Sequence, residues 1–250
     1  MGEKKLEVCI DSLASARAAI AGGADRLEVC SALAVGGLTP FADLLRQIRK
    51  ESNIELRCMI RPRPGDFLYT PEEIQLMLLQ IWHLGEIGAD GFVFGCLDEN
   101  GNLDEELVKP LMEAAHGKKI TLHRAIDVSR DPLETYRTAA RLGFDTVLTS
   151  GGAVNCLAGI KTIGKLLELQ KILDGPEVLI GAGVNAKVIH QFKKEFPDAC
   201  AFHMSGKTQI ESKMKFRKEG VPMGIPWMDE WHMVQTDQEQ IRQARIELES

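Results

Sequence analysis

The stretch Gly23-Ala24-Asp25-Arg26-Leu27-Glu28-Val29-Cys30 contains the junction that organises this chain of 250 residues. A glycine after a helical pattern can adopt the left-handed conformation that ends a helix, and here a strand-like run follows it at once. The same junction recurs at Gly88-Ala89-Asp90 and at Gly143-Phe144-Asp145. One structural unit is therefore predicted to repeat along the chain.

Strand-like runs and helical patterns alternate from one end of the chain to the other. Strands are predicted near residues 6–10, 26–30, 54–60, 91–95, 119–124, 145–149, 177–181 and 200–204. Helices are predicted near 12–22, 40–50, 71–88, 104–116, 131–142, 156–173, 185–195 and 236–248. This order makes the strands parallel and joins them by crossovers.

Eight such units within residues 1–250 predict an α/β protein with a single closed (β/α)8 barrel of the TIM type. An open doubly wound sheet is the competing architecture, but it would need fewer strands or more residues. Within this one domain, residues 206–235 are predicted to be an irregular segment and residues 236–250 a C-terminal helix.

The bulk composition excludes some classes of partner. The formal net charge of −6 argues against nucleic acid and against a membrane surface, because both are anionic. No apolar run approaches the ~18 residues needed to span a bilayer. Residues 1–5 do not begin a signal peptide, so a cytoplasmic location is expected. In that reducing compartment the six cysteines are expected to be free thiols.

Alternate residues of a barrel strand face the interior. In the first strand Glu7, Cys9 and Asp11 alternate with apolar residues, which belong under the helices, so these three are predicted to face inward. The same alternation places inside the barrel Glu28, Cys30, Arg57, Met59, Arg61, Thr121, His123, Ala125, Ala201, His203 and Ser205. Buried charges need partners or a ligand. A polar ligand site is therefore predicted at the C-terminal ends of the strands.

Cys9 and Cys30 are the candidate metal ligands, because each ends a Leu-Glu-Val-Cys run. Adjacent parallel strands lie roughly 4.8 Å apart, so two runs in near register would point both sulfurs into the barrel mouth. Two neighbouring thiolates suit a soft ion such as Cu(I). The alternative is a pair of buried core cysteines, since free cysteine is among the most buried residues.

The loop after the third strand supplies candidates for anion binding. Arg61 and Arg63 are predicted to grip a carboxylate or phosphate, with Asp66 in the same loop. The alternative is a structural loop in which Asp66 holds Arg63 in a salt bridge. Both interpretations stay open at the level of the sequence.

Proton transfer and further anion contacts are predicted nearby. His123 faces the mouth and is a candidate acid or base, together with Glu28 and Asp127, although a lone core histidine is usually structural. Barrels often bind phosphate with the loops after strands seven and eight. The remaining candidates for binding a small anionic metabolite are Arg124, Ser150, Gly181, Gly183, His203 and Ser205.

These residues lie in motifs that closely resemble the CutC family over residues 6–217. The shared motifs are Leu-Glu-Val-Cys at 6–9, Gly-Gly-Ala-Asp-Arg-Leu-Glu-Val-Cys-Ser at 22–31, Gly-Gly-Leu-Thr-Pro at 36–40, Met-Ile-Arg-Pro-Arg-Pro-Gly-Asp-Phe at 59–67, Gly-Ala-Asp-Gly-Phe-Val-Phe-Gly at 88–95, His-Arg-Ala-Ile-Asp at 123–127, Leu-Thr-Ser-Gly-Gly at 148–152 and Met-Lys-Phe-Arg at 214–217. The resemblance implies a cytoplasmic, commonly dimeric barrel linked to copper homeostasis, with Cys9 and Cys30 as Cu(I) ligands. Pro64 and Ala182 depart from the family pattern, in which glycine is usual at both places.

Two functions are consistent with this sequence, and a third explains one remaining segment. The first is a Cu(I)-binding homeostasis protein that uses Cys9 and Cys30. The second is a barrel enzyme of unknown reaction on a phosphorylated or carboxylated metabolite, which would use the arginines and histidines that copper does not require. The third is partner binding through Pro-Trp-Met-Asp-Glu-Trp-His-Met at 226–233, which is expected to bury at a homodimer interface or against the barrel's own helices.

Overall fold

The predicted closed (β/α)8 barrel is confirmed by a computed structural model, which describes residues 3–221, 223–224 and 229–250. Eight parallel strands pair in chain order, and the eighth closes on the first. The barrel strands are β1 Lys5–Ile10, β2 Arg26–Val29, β3 Glu55–Met59, β4 Gly91–Phe94, β5 Lys119–Leu122, β6 Thr146–Thr149, β7 Glu177–Ile180 and β8 Ala201–Met204. The helices are α1 Leu13–Gly22, α2 Ala42–Glu51, α3 Pro71–Ile87, α4 Glu105–Ala114, α5 Pro132–Leu142, α6 Ile160–Leu173, α7 Ala186–Glu195 and α8 Gln238–Glu249.

The recurring glycine–aspartate junction has a physical reason. Its glycines end α1, α3 and α5 in the left-handed conformation, with φ of 94°, 111° and 91°. Each aspartate then accepts a hydrogen bond from a backbone N–H at the start of the preceding strand: Asp25 from Leu6 at 2.7 Å, Asp90 from Leu56 at 2.8 Å and Asp145 from Ile120 at 2.8 Å. The aspartate thus ties consecutive strands together at the end of the barrel opposite the predicted site.

The prediction that α6 begins near residue 156 is wrong by about one turn. Residues 156–159 form a turn, and the helix begins at Ile160. Gly159 lies so close to Ser150 that a Cβ atom on it would be 1.9 Å from the Ser150 carbonyl oxygen. This backbone contact belongs to the loop after β6, so the helix begins only after Gly159.

The main apolar core lies between the strands and the surrounding helices. The inward faces of the strands carry two smaller apolar clusters, one of Cys30, Met59 and Val93 and one of Leu148, Leu179 and Ala201. The rest of the interior is polar, as the strand alternation predicted, and its charges are buried. The polar site therefore lies inside the barrel, whereas most of the apolar burial that stabilises the fold lies between the strands and the helices.

The segment 206–235, predicted to be irregular, contains two short strands. Strand β9 (Lys207–Glu211) pairs with β10 (His232–Thr236) in antiparallel fashion, and we call this pair the mouth hairpin. The predicted C-terminal helix is α8. Of the Trp- and Met-rich stretch at 226–233, residues 226–228 lie outside the described residues. Among the residues that the structure describes, no helix is long and apolar enough to cross a bilayer.

Candidate functional site

A network of buried charges forms the floor of the barrel mouth. Arg26 is fully buried and hydrogen-bonds Glu7, which lies beside it on β1. Its guanidinium also lies 3.8 Å from Glu55 and 3.7 Å from Glu177. Three carboxylates around one guanidinium stabilise a charge that would otherwise be expensive to bury.

Glu7 links this floor to His203 on β8. Burial by itself would raise the pKa of Glu7, but the charge of Arg26 and the hydrogen bond with His203 outweigh it and hold this pKa well below its usual value. The Nδ1 atom of His203 lies 2.7 Å from Glu7. Burial would lower the pKa of His203, whereas the adjacent Cys9 sulfur, Glu28 and Glu7 raise it well above its usual value. The site therefore favours an imidazolium held against a carboxylate.

Three side chains of different chemistry meet above this floor. One ligand atom from each of Cys9, Glu28 and His203 lies within 4.8 Å of the other two. The β1–β2 register places Cys9 directly beside Glu28, and the Nε2 atom of His203 lies 3.9 Å from Glu28. We call these residues the mouth cluster. A thiol, a carboxylate and an imidazole together are a set of donors able to hold a metal ion.

Cys30 directly follows β2, two residues after Glu28 of the mouth cluster. Cys9 is paired with Glu28, so the two Leu-Glu-Val-Cys runs are offset by two residues. The Cys30 thiol donates a hydrogen bond of 3.5 Å to Glu28. Burial, with the Glu28 charge beside it, raises the pKa of Cys30 well above its usual value. Cys9 and Cys30 thus both adjoin Glu28, although they are not level with each other.

A cavity of about 690 Å³ opens above the mouth cluster at the C-terminal ends of the strands. This volume lies in the range of small-molecule sites. The sequence-predicted site residues on its wall are Cys9, Glu28, Arg61, His123, Arg124, His203 and Ser205. The mouth hairpin closes one side through residues 232–236, with Asp229 and Glu230 next to it.

Backbone carbonyls of the cavity wall hold the two outer nitrogen atoms of Arg61. Its Nη1 donates to the carbonyls of Val35 and Gly37, each at 3.1 Å, and its Nη2 donates to Gly65 at 2.9 Å. The Nε–H is buried and has no partner. Within the described part of the chain, no carboxylate lies within ion-pair distance of this guanidinium. Arg61 therefore brings an uncompensated positive charge to the cavity.

His123 is a second buried donor on this wall. Its Nδ1 accepts a hydrogen bond of 3.2 Å from the backbone of Ala125, so the proton of the neutral ring is on Nε2, where it has no partner. Burial, together with the charge of Arg61, lowers the pKa of His123 to about 3. This imidazole is thus neutral near pH 7, and its Nε2–H is a buried donor.

Arg63 and Asp66 adopt the structural alternative. Arg63 pairs with Glu73 on α3 at 2.5 Å and with Asp66 at 3.0 Å, and it packs over the ring of Tyr69. Its Nη2 also donates to the Leu68 carbonyl. Neither Arg63 nor Asp66 lines the cavity. These contacts fix the shape of the loop that presents Arg61.

Asp127, predicted as a possible acid or base, instead organises the loop after β6. Its carboxylate accepts hydrogen bonds from Thr149, from Gly152 and from both the backbone and the hydroxyl of Ser150. It also pairs with Arg124 at 2.7 Å. Arg124 lines the cavity, whereas Asp127 and Ser150 stand behind it.

Close packing and backbone conformation account for the glycines after β7. A Cβ on Gly181 would lie 2.6 Å from Leu148, and Gly183 has a φ of +84°. Between them Ala182 has a φ of +71°, a conformation that glycine adopts more easily. Neither Gly181 nor Gly183 is on the cavity wall. The phosphate loop predicted here stays a prediction.

The sequence did not indicate two parts of the site. Phe67 packs against both buried donor residues, with its ring 4.6 Å from that of His123 and 5.1 Å from the Arg61 guanidinium. The mouth hairpin was also missed, because its polar alternation resembles an irregular surface segment. The exposed apolar residues Met233 and Val234 in β10 were the available signal.

Comparison with known proteins identifies relatives over most of the chain. A family model described as the CutC family matches residues 4–208. A protein described as "family protein CutC" from Parabacteroides distasonis is 40% identical over 95% of this chain and 97% of its own length. The human protein described as "Copper homeostasis protein cutC homolog" is 41% identical over 88% of this chain and 79% of its own length.

Solved structures agree with the barrel. A CutC structure from Streptococcus agalactiae has a TM-score of 0.75 and 28% identity, covering 81% of this chain and 98% of that one. A phosphoribosylanthranilate isomerase from Pyrococcus furiosus has a TM-score of 0.57 at 14% identity, covering 99% of both chains. The second likeness concerns the fold alone.

Proposed function

Since this chain belongs to the CutC family, we propose that it acts in copper homeostasis and binds Cu(I) in its barrel mouth. The observation that carries this proposal is the mouth cluster, in which Cys9, Glu28 and His203 offer ligand atoms within 4.8 Å of one another. The human relative's name refers to copper homeostasis. Copper is here the cargo of the protein.

Cys9 and His203 provide donors that suit Cu(I). A thiolate is the preferred ligand of this soft ion, and imidazole also binds copper, which would displace the Nε2 proton of the His203 imidazolium. The hydrogen bond from Nδ1 of His203 to Glu7 orients the ring and leaves Nε2 facing the mouth cluster. A ligand histidine held in this way by a carboxylate is a common arrangement in metal sites.

Cys30 supplies the second sulfur in this proposal. Its thiol hydrogen-bonds Glu28, so the carboxylate is placed to receive a proton when the thiol becomes a ligand. Glu28 itself is a hard oxygen donor that Cu(I) does not prefer. We therefore assign Glu28 to positioning and proton acceptance, and Cys9 with Cys30 to the metal.

The test is a Cu(I) titration under reducing conditions against a coloured competing chelator. The intact chain is expected to take up about one Cu(I), and the Cys9→Ser and Cys30→Ser double variant is expected to lose it. Cys200→Ser is the matched control, because Cys200 is a free thiol just before β8, at the end of the barrel opposite the mouth. Uptake of Cu(I) by the double variant equal to that of the control would contradict the proposal.

A second candidate function is favoured by the donors that copper does not use. Arg61 and His123 both line the cavity, each has a buried nitrogen donor without a partner, and Arg61 also brings an uncompensated charge. They favour a barrel that binds, and as an enzyme converts, a small phosphorylated or carboxylated metabolite. Thermal shift across a metabolite panel tests it, since a ligand at 100 times its Kd stabilises by roughly 2.7 kcal/mol.

We also propose a cytoplasmic location and a homodimer, with neither a nucleic acid nor a membrane as partner. The negative net charge supports the absence of anionic polymers as partners. A row of exposed apolar residues on α3, formed by Leu76, Leu79 and Trp82, supports self-association. Fractionation and light scattering test these two points.

A further inference from the structure

We infer that Arg61 and His123 form a subsite for a carboxylate group, beside the mouth cluster and covered by the ring of Phe67. This inference deepens the second candidate function, binding of a small anionic metabolite, and does not depend on copper. Both side chains are more than nine-tenths buried, with exposed fractions of 8% and 3%. Each has one buried nitrogen atom without a hydrogen-bond partner, Nε in Arg61 and Nε2 in His123.

A buried donor without an acceptor is unfavourable, because the group has lost water and gained nothing in return. Two such groups lie beside the Phe67 ring, and an acceptor brought by a ligand would satisfy both. Three of the other four N–H groups of Arg61 donate to backbone carbonyls, which hold its guanidinium in place. The Arg61 donor is thus positioned before any ligand arrives.

The number of donors and the charge favour a carboxylate over a phosphate. One positive charge and two buried, unpartnered nitrogen donors match the single negative charge and two oxygen atoms of a carboxylate. The other cations on the wall are Arg124, which is already paired with Asp127, His203, which is held against Glu7, and the exposed Lys207. The wall also carries Asp11, Glu28 and Asp229, which would repel a dianion.

The rest of the wall predicts the body of the ligand. Apolar side chains line the cavity next to the subsite: Leu33, Met59, Leu148 and Met233. A volume of about 690 Å³ accommodates a small organic acid with room to spare. The structure therefore favours a monocarboxylate with a compact apolar body over a small, fully polar anion.

The test measures binding of acetate, benzoate and inorganic phosphate by calorimetry at constant ionic strength. Benzoate is expected to bind most tightly and phosphate most weakly. His123→Asn keeps an oxygen that can accept the Ala125 N–H but withdraws the distal donor, so benzoate should bind about tenfold more weakly. His123→Gln restores a donor near the Nε2 position and is expected to recover part of that loss.

The outcomes separate this inference from both candidate functions. Equal binding of benzoate by the wild type and His123→Asn, or no binding of either carboxylate, would overturn the subsite. Phosphate binding more tightly than benzoate would leave an anion site but overturn the carboxylate. Cu(I) uptake is measured in parallel and is expected to be unchanged in His123→Asn, because His123 is not in the mouth cluster.

A substitution at Phe67 tests the subsite without changing either donor residue. Because its ring covers both N–H groups, Phe67→Ala is expected to raise the fraction of molecules open to acetate and so to lower the apparent Kd. Acetate binding that is weaker in Phe67→Ala than in the wild type would overturn the covering role of this ring.

Discussion

The Nδ1 atom of His203, on the last strand of the barrel, lies 2.7 Å from a carboxylate oxygen of Glu7, on the first strand. This contact crosses the seam where the barrel closes, and the same carboxylate holds Arg26. One buried glutamate thus joins the charge network of the floor to the mouth cluster above it.

The first prediction concerns the removal of that charge. Glu7→Gln leaves Arg26 fully buried with only the more distant Glu55 and Glu177, and breaking a buried pair in this way costs about 3–5 kcal/mol. Urea unfolding measures the change in the free energy of unfolding. The pKa of His203 should also fall, because Glu7 is one of the groups that raise it.

The matched control for Glu7→Gln is Glu51→Gln, which breaks an exposed pair with Arg17 at 2.6 Å. Exposed pairs contribute about 0–1 kcal/mol. A loss of stability in Glu7→Gln no greater than in this control would show that the buried network does not depend on Glu7.

The second prediction concerns stability below neutral pH. The pKa of His123 is about 3 in the folded chain and about 6.5 when unfolded, so below pH 6.5 the unfolded chain binds a proton that the folded chain does not. Stability contributed by His123 is thus present above pH 6.5 and is lost as the pH falls toward 3, by up to about 1.4 kcal/mol per pH unit. Arg61 and Asp127 are the charged groups that bear on this ring.

His123→Asn should remove that slope between pH 6.5 and 5, as measured by urea unfolding at several pH values. Glu7 adds its own acid dependence only below about pH 4.5, where the unfolded carboxyl takes up a proton that the folded one, with its lowered pKa, does not. A slope that is the same in His123→Asn and the wild type between pH 6.5 and 5 would refute the assignment.

The third prediction contrasts two glycine substitutions. A Cβ on Gly159 would meet the Ser150 carbonyl at 1.9 Å, and backbone cannot easily move away, so Gly159→Ala should destabilise the chain by about 1–3 kcal/mol or more. A Cβ on Gly85, inside α3, meets only ordinary contacts at 3.6 Å. Gly85→Ala should therefore stabilise by about 0.5–1 kcal/mol. Thermal unfolding of both variants checks the opposite signs.

The fourth prediction concerns the proposed homodimer. Leu76, Leu79 and Trp82 have exposed fractions of 52%, 61% and 59% in a single chain, and a charge placed among them would be buried in a dimer. Trp82→Glu should give a monomer by light scattering with unchanged circular dichroism. Val154→Glu introduces the same charge at an exposed residue in the loop after β6, and this variant should stay dimeric. A Trp82→Glu dimer would exclude this face.

The sequence by itself determined the architecture. The junctions at Gly23, Gly88 and Gly143 recur because α1, α3 and α5 each end on a left-handed residue, after which an aspartate holds the preceding strand. Alternation then assigned Glu7, Cys9 and Arg57 to the interior. Both properties depend on neighbours within a few residues, so they can be predicted from local patterns.

The tertiary structure decided which of the predicted site residues meet. Strand register placed Cys9 beside Glu28 and not beside Cys30, and a two-residue offset of this kind leaves no mark on a strand's own alternation. Asp127 became a structural anchor because the loop after β6 turns its N–H groups toward it. The mouth hairpin, built from residues far apart in sequence, closes a cavity that no local pattern could indicate.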